Sequence, residues 1–207
     1  MIRFYRFPYS TNVERVALAL AHKGLRVESV VIDPKDRTEV RRVSGQDLVP
    51  VLVDDDGTVV FDSMDIVRHL EKRYPDKPLY PTNPARRAEM FVFIDWFNRV
   101  WKRPPNDMEA EMKKPAPDAA RIEQMSKAMA HALYLFDGML TGRKYIMGDE
   151  FSAADCCAFP FLKYATIPML PDDDYLFHRI LVDHQRLGDR HKNVAAWIAR
   201  VEERPRV

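Results

Sequence analysis

Chemistry is concentrated in a few short stretches of this 207-residue sequence. In Phe7-Pro8-Tyr9-Ser10-Thr11-Asn12-Val13-Glu14-Arg15-Val16 a β-prone run ends and a helical one begins. A helix N-terminus directs unpaired backbone N–H groups outward and favours a nearby anion. A hydroxyl at that point can donate to a thiolate and keep it ionised. The plainer role of Ser10, Thr11 or Asn12 is to cap the helix, and the segment by itself permits both. In Leu48-Val49-Pro50-Val51-Leu52 a proline opens a strand, which is tolerated when its missing N–H faces away from the ladder. Phe61-Asp62-Ser63-Met64-Asp65-Ile66 sets an acidic residue and a natural N-cap serine before a further helix. Ser152-Ala153-Ala154-Asp155 has capping-box spacing, a folding signal rather than a catalytic one. Adjacent Cys156 and Cys157, the only cysteines, are poorly placed for a structural disulfide and read as small buried apolar residues. His178, His184 and His191 have no spacing that gathers a metal set on one face, so no metal is expected.

These residues need elements to hold them, and proline divides the chain that supplies those elements. There are 15 Pro against 7 Gly, and Pro75, Pro78, Pro81 and Pro84 fall within ten residues. Proline fixes φ and restricts the residue before it, so this stretch reads as a stiff, extended connector. Residues 1–75 form one domain, 76–84 the linker and 85–207 a second domain. The first part reads as β-α-β, a charged and weakly helical stretch over 35–44, then β-β-α. Its signals are the β-prone Ile2–Phe7, the stripe Val13, Val16, Ala17 and Leu20 closed by Lys23-Gly24, and the β-branched Val27–Ile32. Val49–Val53 and Thr58–Phe61 then flank the turn Asp54-Asp55-Asp56-Gly57, and Ile66, Val67, Leu70 and Tyr74 mark the closing helix. The second part reads as helical throughout: Pro84 to Trp101, stopped by Pro104-Pro105, then 118–140, 152–167 and 191–203. The fold class is α/β plus all-α.

Charge and hydropathy narrow the function classes. Lys and Arg number 32 against 31 Asp and Glu, a net charge of +1 that argues against a nucleic-acid partner. No apolar run approaches the roughly 18 residues that span a bilayer, so no membrane partner is expected. Met1-Ile2-Arg3-Phe4-Tyr5-Arg6 lacks the apolar stretch of a signal peptide. With two cysteines, a reducing, cytoplasmic setting is the default.

The β-α-β-β-α half, the Val-Pro before the third strand and the helical second half together resemble the cytosolic glutathione transferases, over about residues 2–204. Ser10 to Val16 is similar to the phi-class signature, with the activating serine five residues before the helix-one arginine. Theta, zeta and tau enzymes are similar in placing serine there. The resemblance implies an N-terminal thioredoxin-like domain that binds glutathione, followed by an all-helical domain. It implies glutathione as co-substrate, a small hydrophobic electrophile as second substrate, a homodimer and a role in detoxification.

The same resemblance assigns residues. Ser10 would donate to the glutathione sulfur and lower its pKa, with Tyr5 and Tyr9 as neighbouring alternatives whose other role is packing or lining the site. Val49-Pro50 would be cis, and the Val49 N–H and C=O would pair with the cysteinyl backbone like an added strand. Ser63 would meet the γ-glutamyl carboxylate and Asp62 the amino group. Arg37, ahead of Lys35 and Arg41, would meet the glycyl end. Leu48 departs from the family, which often has Gln or Lys there. The hydrophobic substrate is implied between the domains, lined by Tyr9, Phe97 and Trp101 on or near a helix that also carries Phe93, Trp96 and Arg99. Most of that helix must be core, and Met108, Met112 and Pro115 would form a cap. The implied reaction is conjugation by the thiolate, with peroxide reduction or epoxide opening as variants. A non-catalytic binding or assembly module on the same fold is the alternative. A thiol oxidoreductase is disfavoured, because no cysteine lies near position 10.

Overall fold

Ile2–Arg6 (β1) is apolar at Ile2, Phe4 and Tyr5, and all three are buried because strands flank it on both sides. It pairs in parallel with Val27–Val31 (β2) and antiparallel with Val51–Val53 (β3), which pairs antiparallel with Val59–Phe61 (β4). A parallel pair needs a crossover, and the helix Thr11–Lys23 (α1) supplies it. That helix ends on Gly24 at φ 70°, whose N–H caps the carbonyls of Ala21 and Leu20. Thr38–Ser44 (α2) links β2 to β3, and Ser63–Arg73 (α3) follows β4. Val16, Leu20, Ile66, Val67 and Leu70 are fully buried where α1 and α3 pack together.

The computed structural model describes all 207 residues as two units, Met1–Pro81 with Arg204–Val207 and Thr82–Glu203. The last four residues, expected in the helical domain, therefore return to the first unit. Arg6 Nη1 donates to the Val207 carbonyl at 2.6 Å and Arg206 pairs with Glu14 at 3.1 Å. Elsewhere in this unit the Lys23 side chain is 1% exposed. Its Nζ donates to Glu71 Oε2 and the Tyr74 carbonyl at 2.8 Å, and reaches the Asp76 and Lys77 carbonyls at 3.3 and 3.4 Å.

The second unit is helical, as expected. Asn83 caps Pro84–Trp96 (α4), with Pro84 in the first turn. A π-helical turn, Phe97–Trp101, leads into Arg103–Met112 (α5). The helical run from Pro84 ends at Trp101, ahead of Pro104-Pro105, and a further helix absent from the expectation begins at Arg103. The two prolines occupy the first turn of α5, where the N–H groups they lack would have no helical acceptor. Ala119–Leu140 (α6) and Ala153–Leu162 (α7) follow, and every residue of α7 is buried as it packs on α4. After a 3-10 turn, Leu176–His184 (α8) is a helix absent from the sequence expectation, and Lys192–Glu202 (α9) closes the unit. Asp155 is fully buried and accepts from Ile146 N, Ser152 N, Ser152 Oγ and Trp197 Nε1 at 2.8–3.0 Å. No helix is long and apolar enough to cross a membrane.

Candidate functional site

Sheet register decides which sequence motifs meet. Tyr5 opposes Val51, so Pro50 and Val49 lead back toward the end of β1 from which Phe7–Ser10 departs. Val51 also opposes Phe61, so Asp62 and Ser63 leave β4 at that same end. Ser10, Val49-Pro50 and Asp62-Ser63, scattered over more than fifty residues of sequence, thus gather at one end of one sheet. The Val49–Pro50 peptide is cis, and Val49 is 8% exposed.

Both serines are left with a proton to give. Ser10 is the N-cap of α1, and its Oγ accepts from Val13 N–H at 3.3 Å. That bond uses an oxygen lone pair and leaves the hydroxyl hydrogen for an outside acceptor. Capping and donation to an anion are therefore compatible in one side chain. Ser63 is not the cap of α3. Asp62 is, with Oδ1 accepting from Met64 N at 2.9 Å and Asp65 N at 3.3 Å. Ser63, the buried first residue of α3, accepts from Arg15 Nη1 at 3.2 Å. A guanidinium has no acceptor, so the Ser63 hydrogen is likewise available.

The backbone carries strain at the same two places. Tyr9 has φ 69° and Asp62 φ 67°, left-handed values held by non-glycine residues immediately before Ser10 and Ser63. Such conformations cost about 1–3 kcal/mol each and persist where the surroundings fix them, often at ligand sites.

Three further candidates can be placed. The Tyr5 ring is 1% exposed, its hydroxyl is 3.5 Å from Glu39 Oε1, and Arg3 lies over its face. Tyr5 is committed to packing. Arg37, just before α2, lies over the Phe7 ring at 4.7 Å, and its Nη1 is buried without a hydrogen-bond partner. Of the three basic residues considered, it is the one held against the β1–α1 turn. Arg41 pairs with Asp47 and Lys35 is exposed.

Phe97 and Trp101 correct the expectation that they line a ligand site. At 0% and 4% exposure they stack on each other at 4.4 Å and meet Phe136 and Phe161 edge-on, forming the core of the second unit. Met108, expected in a cap, is buried in α5. An apolar groove of about 680 Å³ lies between α4 and α6, lined by Ala88, Val92, Trp96, Leu135 and Met139. Among carboxylates, Asp54, Asp55 and Asp56 cluster within 4.8 Å. Asp54 is already engaged by His69 Nε2 at 2.5 Å and by the Tyr74 hydroxyl.

Sequence reading named Arg15 but gave it no task, and missed the segment 204–207. Arg15 lies opposite the Val13, Val16, Ala17 and Leu20 stripe, so no local pattern marked its burial. No local pattern announces the tail.

Comparisons with known proteins identify the family and the fold. The chain matches the models of the glutathione S-transferase N-terminal domain over residues 4–78 and the glutathione S-transferase C-terminal domain over residues 100–205. It is 29% identical over 170 residues to glutathione S-transferase GstB of Escherichia coli K12, covering 78% of this chain and 82% of that protein. A stringent starvation protein A homolog of Pasteurella multocida is 29% identical over 191 residues, covering 92% of this chain and 80% of that protein. The crystal structure of a glutathione S-transferase from Rhodospirillum rubrum F11 superposes with a TM-score of 0.74 at 27% identity, covering 99% of this chain and 89% of that one.

Proposed function

Since the chain belongs to the glutathione S-transferase family, we propose that it is a cytoplasmic glutathione transferase that attacks small hydrophobic electrophiles with a thiolate stabilised by Ser10. The observation that carries this reading is the convergence of Ser10 and Ser63 at one sheet end, each with its hydroxyl hydrogen uncommitted. Ser10 donates to the sulfur, Ser63 to the γ-glutamyl carboxylate, and the α1 N-terminus adds its partial positive charge. Asp62 has a second carboxylate oxygen for the ammonium group, and the buried Nη1 of Arg37 suits the glycyl carboxylate. Val49 offers backbone groups to the cysteinyl unit. Conjugation then follows from an ionised, oriented sulfur, and peroxide reduction would use the same nucleophile. The groove between α4 and α6 is proposed to be covered by a second copy in a homodimer.

The test is retention on immobilised glutathione, followed by conjugation of an aryl halide and thiol titration in the bound state. A hydrogen bond to a charged group contributes about 1.5–3 kcal/mol, and a pKa unit is about 1.4 kcal/mol. Ser10→Ala should therefore raise the bound thiol pKa by about one to two units. It should lower turnover about ten- to hundredfold below that pKa. An unmoved titration overturns the role of Ser10. The likeness to a stringent starvation protein A homolog favours a second reading, a binding or assembly module without catalysis. Absence of both retention and turnover would favour it.

A further inference from the structure

The chain leaves the second unit at Glu203, and its last four residues lie along α1 from its C-terminal to its N-terminal end. Arg204 Nη2 is 2.8 Å from His22 Nδ1, in the last turn of α1. Arg206 reaches the first turn, where Nε and Nη2 both donate to Glu14 Oε1, at 3.3 and 3.1 Å. Its remaining Nη1 donates to the Arg204 carbonyl at 2.8 Å, which fixes the guanidinium plane. Val207 then accepts from Arg6, the last residue of β1. The segment is a strap that ends beside the β1–α1 turn.

Glu14 is the reason this position matters. Its N–H bonds the carbonyl of the N-cap Ser10 at 3.0 Å, so Glu14 stands one helical turn beyond Ser10. An uncompensated carboxylate there stabilises the helix terminus but opposes a second anion at the same terminus. With side chains 16% and 24% exposed, the Glu14–Arg206 pair is screened less than a surface pair.

We propose that Arg206 is a positioning residue for the reaction, which cancels the Glu14 carboxylate so that the α1 N-terminus remains available to the glutathione thiolate. This rests on the reading of Ser10 given above. Other charges near the turn include Arg6 on β1, Arg15 on α1 and Arg37 before α2. On the acidic side, Asp62 caps α3, while Glu39 is held by Arg42 and Asp65 by Arg68. None of them changes in the variants below.

The experiment is titration of the thiol of bound glutathione, with kcat/KM measured across the same pH range, on the full chain. A unit charge within one helical turn should shift that titration by roughly half a pH unit to one unit. Arg206→Ala is expected to raise the thiol pKa by this amount and to lower kcat/KM about three- to tenfold below it, with little loss above it. Arg206→Lys restores the wild-type profile, and 0.5 M salt diminishes the Arg206→Ala shift. The discriminating variant is the double substitution Glu14→Gln with Arg206→Ala. It lacks the ion pair as fully as Arg206→Ala but also lacks the Glu14 negative charge, so its titration returns to that of wild type. A double variant as shifted as Arg206→Ala would reduce the pair to scaffolding and overturn the proposal. An unmoved Arg206→Ala alongside a shifted Ser10→Ala overturns it while leaving the role of Ser10 intact. If Ser10→Ala does not shift the titration either, both readings fall together.

Discussion

Replacing Arg15 tests how the second hydroxyl is aimed. Arg15 is 2% exposed and its Nη1 lies 3.2 Å from Ser63 Oγ. A carboxylate accepting from Ser63 would stand about 2.7 Å from Oγ, hence within about 6 Å of that nitrogen. Two contributions follow. Without the donor, the hydroxyl regains its three staggered positions, worth RT ln 3, about 0.6 kcal/mol or threefold in affinity. Without the charge, the carboxylate loses an attraction of about 3 kcal/mol at 6 Å and an effective dielectric of about 20, close to a hundredfold. Arg15→Met preserves the apolar stem and removes both. Glutathione Kd should rise by between about three- and three-hundredfold, with kcat at saturation nearly unchanged because the sulfur is held from Ser10. Calorimetric titration with glutathione and with an analogue amidated at the γ-glutamyl α-carboxylate isolates the effect, since the analogue should bind wild type and variant alike. Arg15→Lys should recover the charge contribution only, and guards against a general packing defect. Equal losses for the two ligands, or an unchanged glutathione Kd in a folded variant, would refute the reasoning.

Further outcomes concern stability. Asp155→Ala strands four buried donors, each costing about 1–3 kcal/mol. Scanning calorimetry should show a Tm fall of at least about 8 °C for a chain of this size, and a fall under about 2 °C would contradict the assignment. Burial, then the nearby Arg204 and Lys23, hold the His22 imidazole below its ordinary 6.5. The unfolded chain therefore takes up that proton more readily, so the His22 contribution is complete above about pH 6.5 and is lost as pH falls below it. Urea midpoints at pH 7.5 and 5.5 should converge in His22→Gln relative to wild type; an equal drop in both proteins would remove His22 as the cause. Val92, 69% exposed in the apolar groove, gives a test of assembly: Val92→Glu should convert a dimer to a monomer in light scattering, and a wild-type monomer would end that reading.

Local patterns accounted for what local physics decides. The Val13–Leu20 stripe, the Lys23-Gly24 stop and the Asp54–Gly57 turn each produced the element expected, because periodicity and turn chemistry act over a few residues. Pro104-Pro105 marked the end at Trp101 but hid α5, because prolines are also tolerated in the first turn of a new helix. Helix α8 was missed although Leu176, Phe177, Ile180 and Leu181 recur at helical spacing, because nine residues hold little more than two turns of pattern. At the site, Ser10, Val49-Pro50 and Asp62-Ser63 were legible as motifs, yet their meeting depended on strand register. Phe97 and Trp101 look alike as core or as ligand lining in sequence, and only burial separates them. Contacts such as Arg15 with Ser63 and Arg206 with Glu14 join residues 48 and 192 positions apart, beyond any window of pattern reading.

The ammonium of Lys23 changes what the proline-rich connector can do. Each proline there deprives the backbone of a donor, leaving carbonyls that the segment cannot satisfy within itself. One buried lysine from the end of α1 binds three of those carbonyls, from Tyr74, Asp76 and Lys77. The first half of the connector is thereby part of the first unit, which this stretch of chain leaves after Pro81. Protease nicking and tolerance of inserted residues should accordingly concentrate at residues 81–83, and the Pro75–Pro78 stretch should resist both despite its exposure.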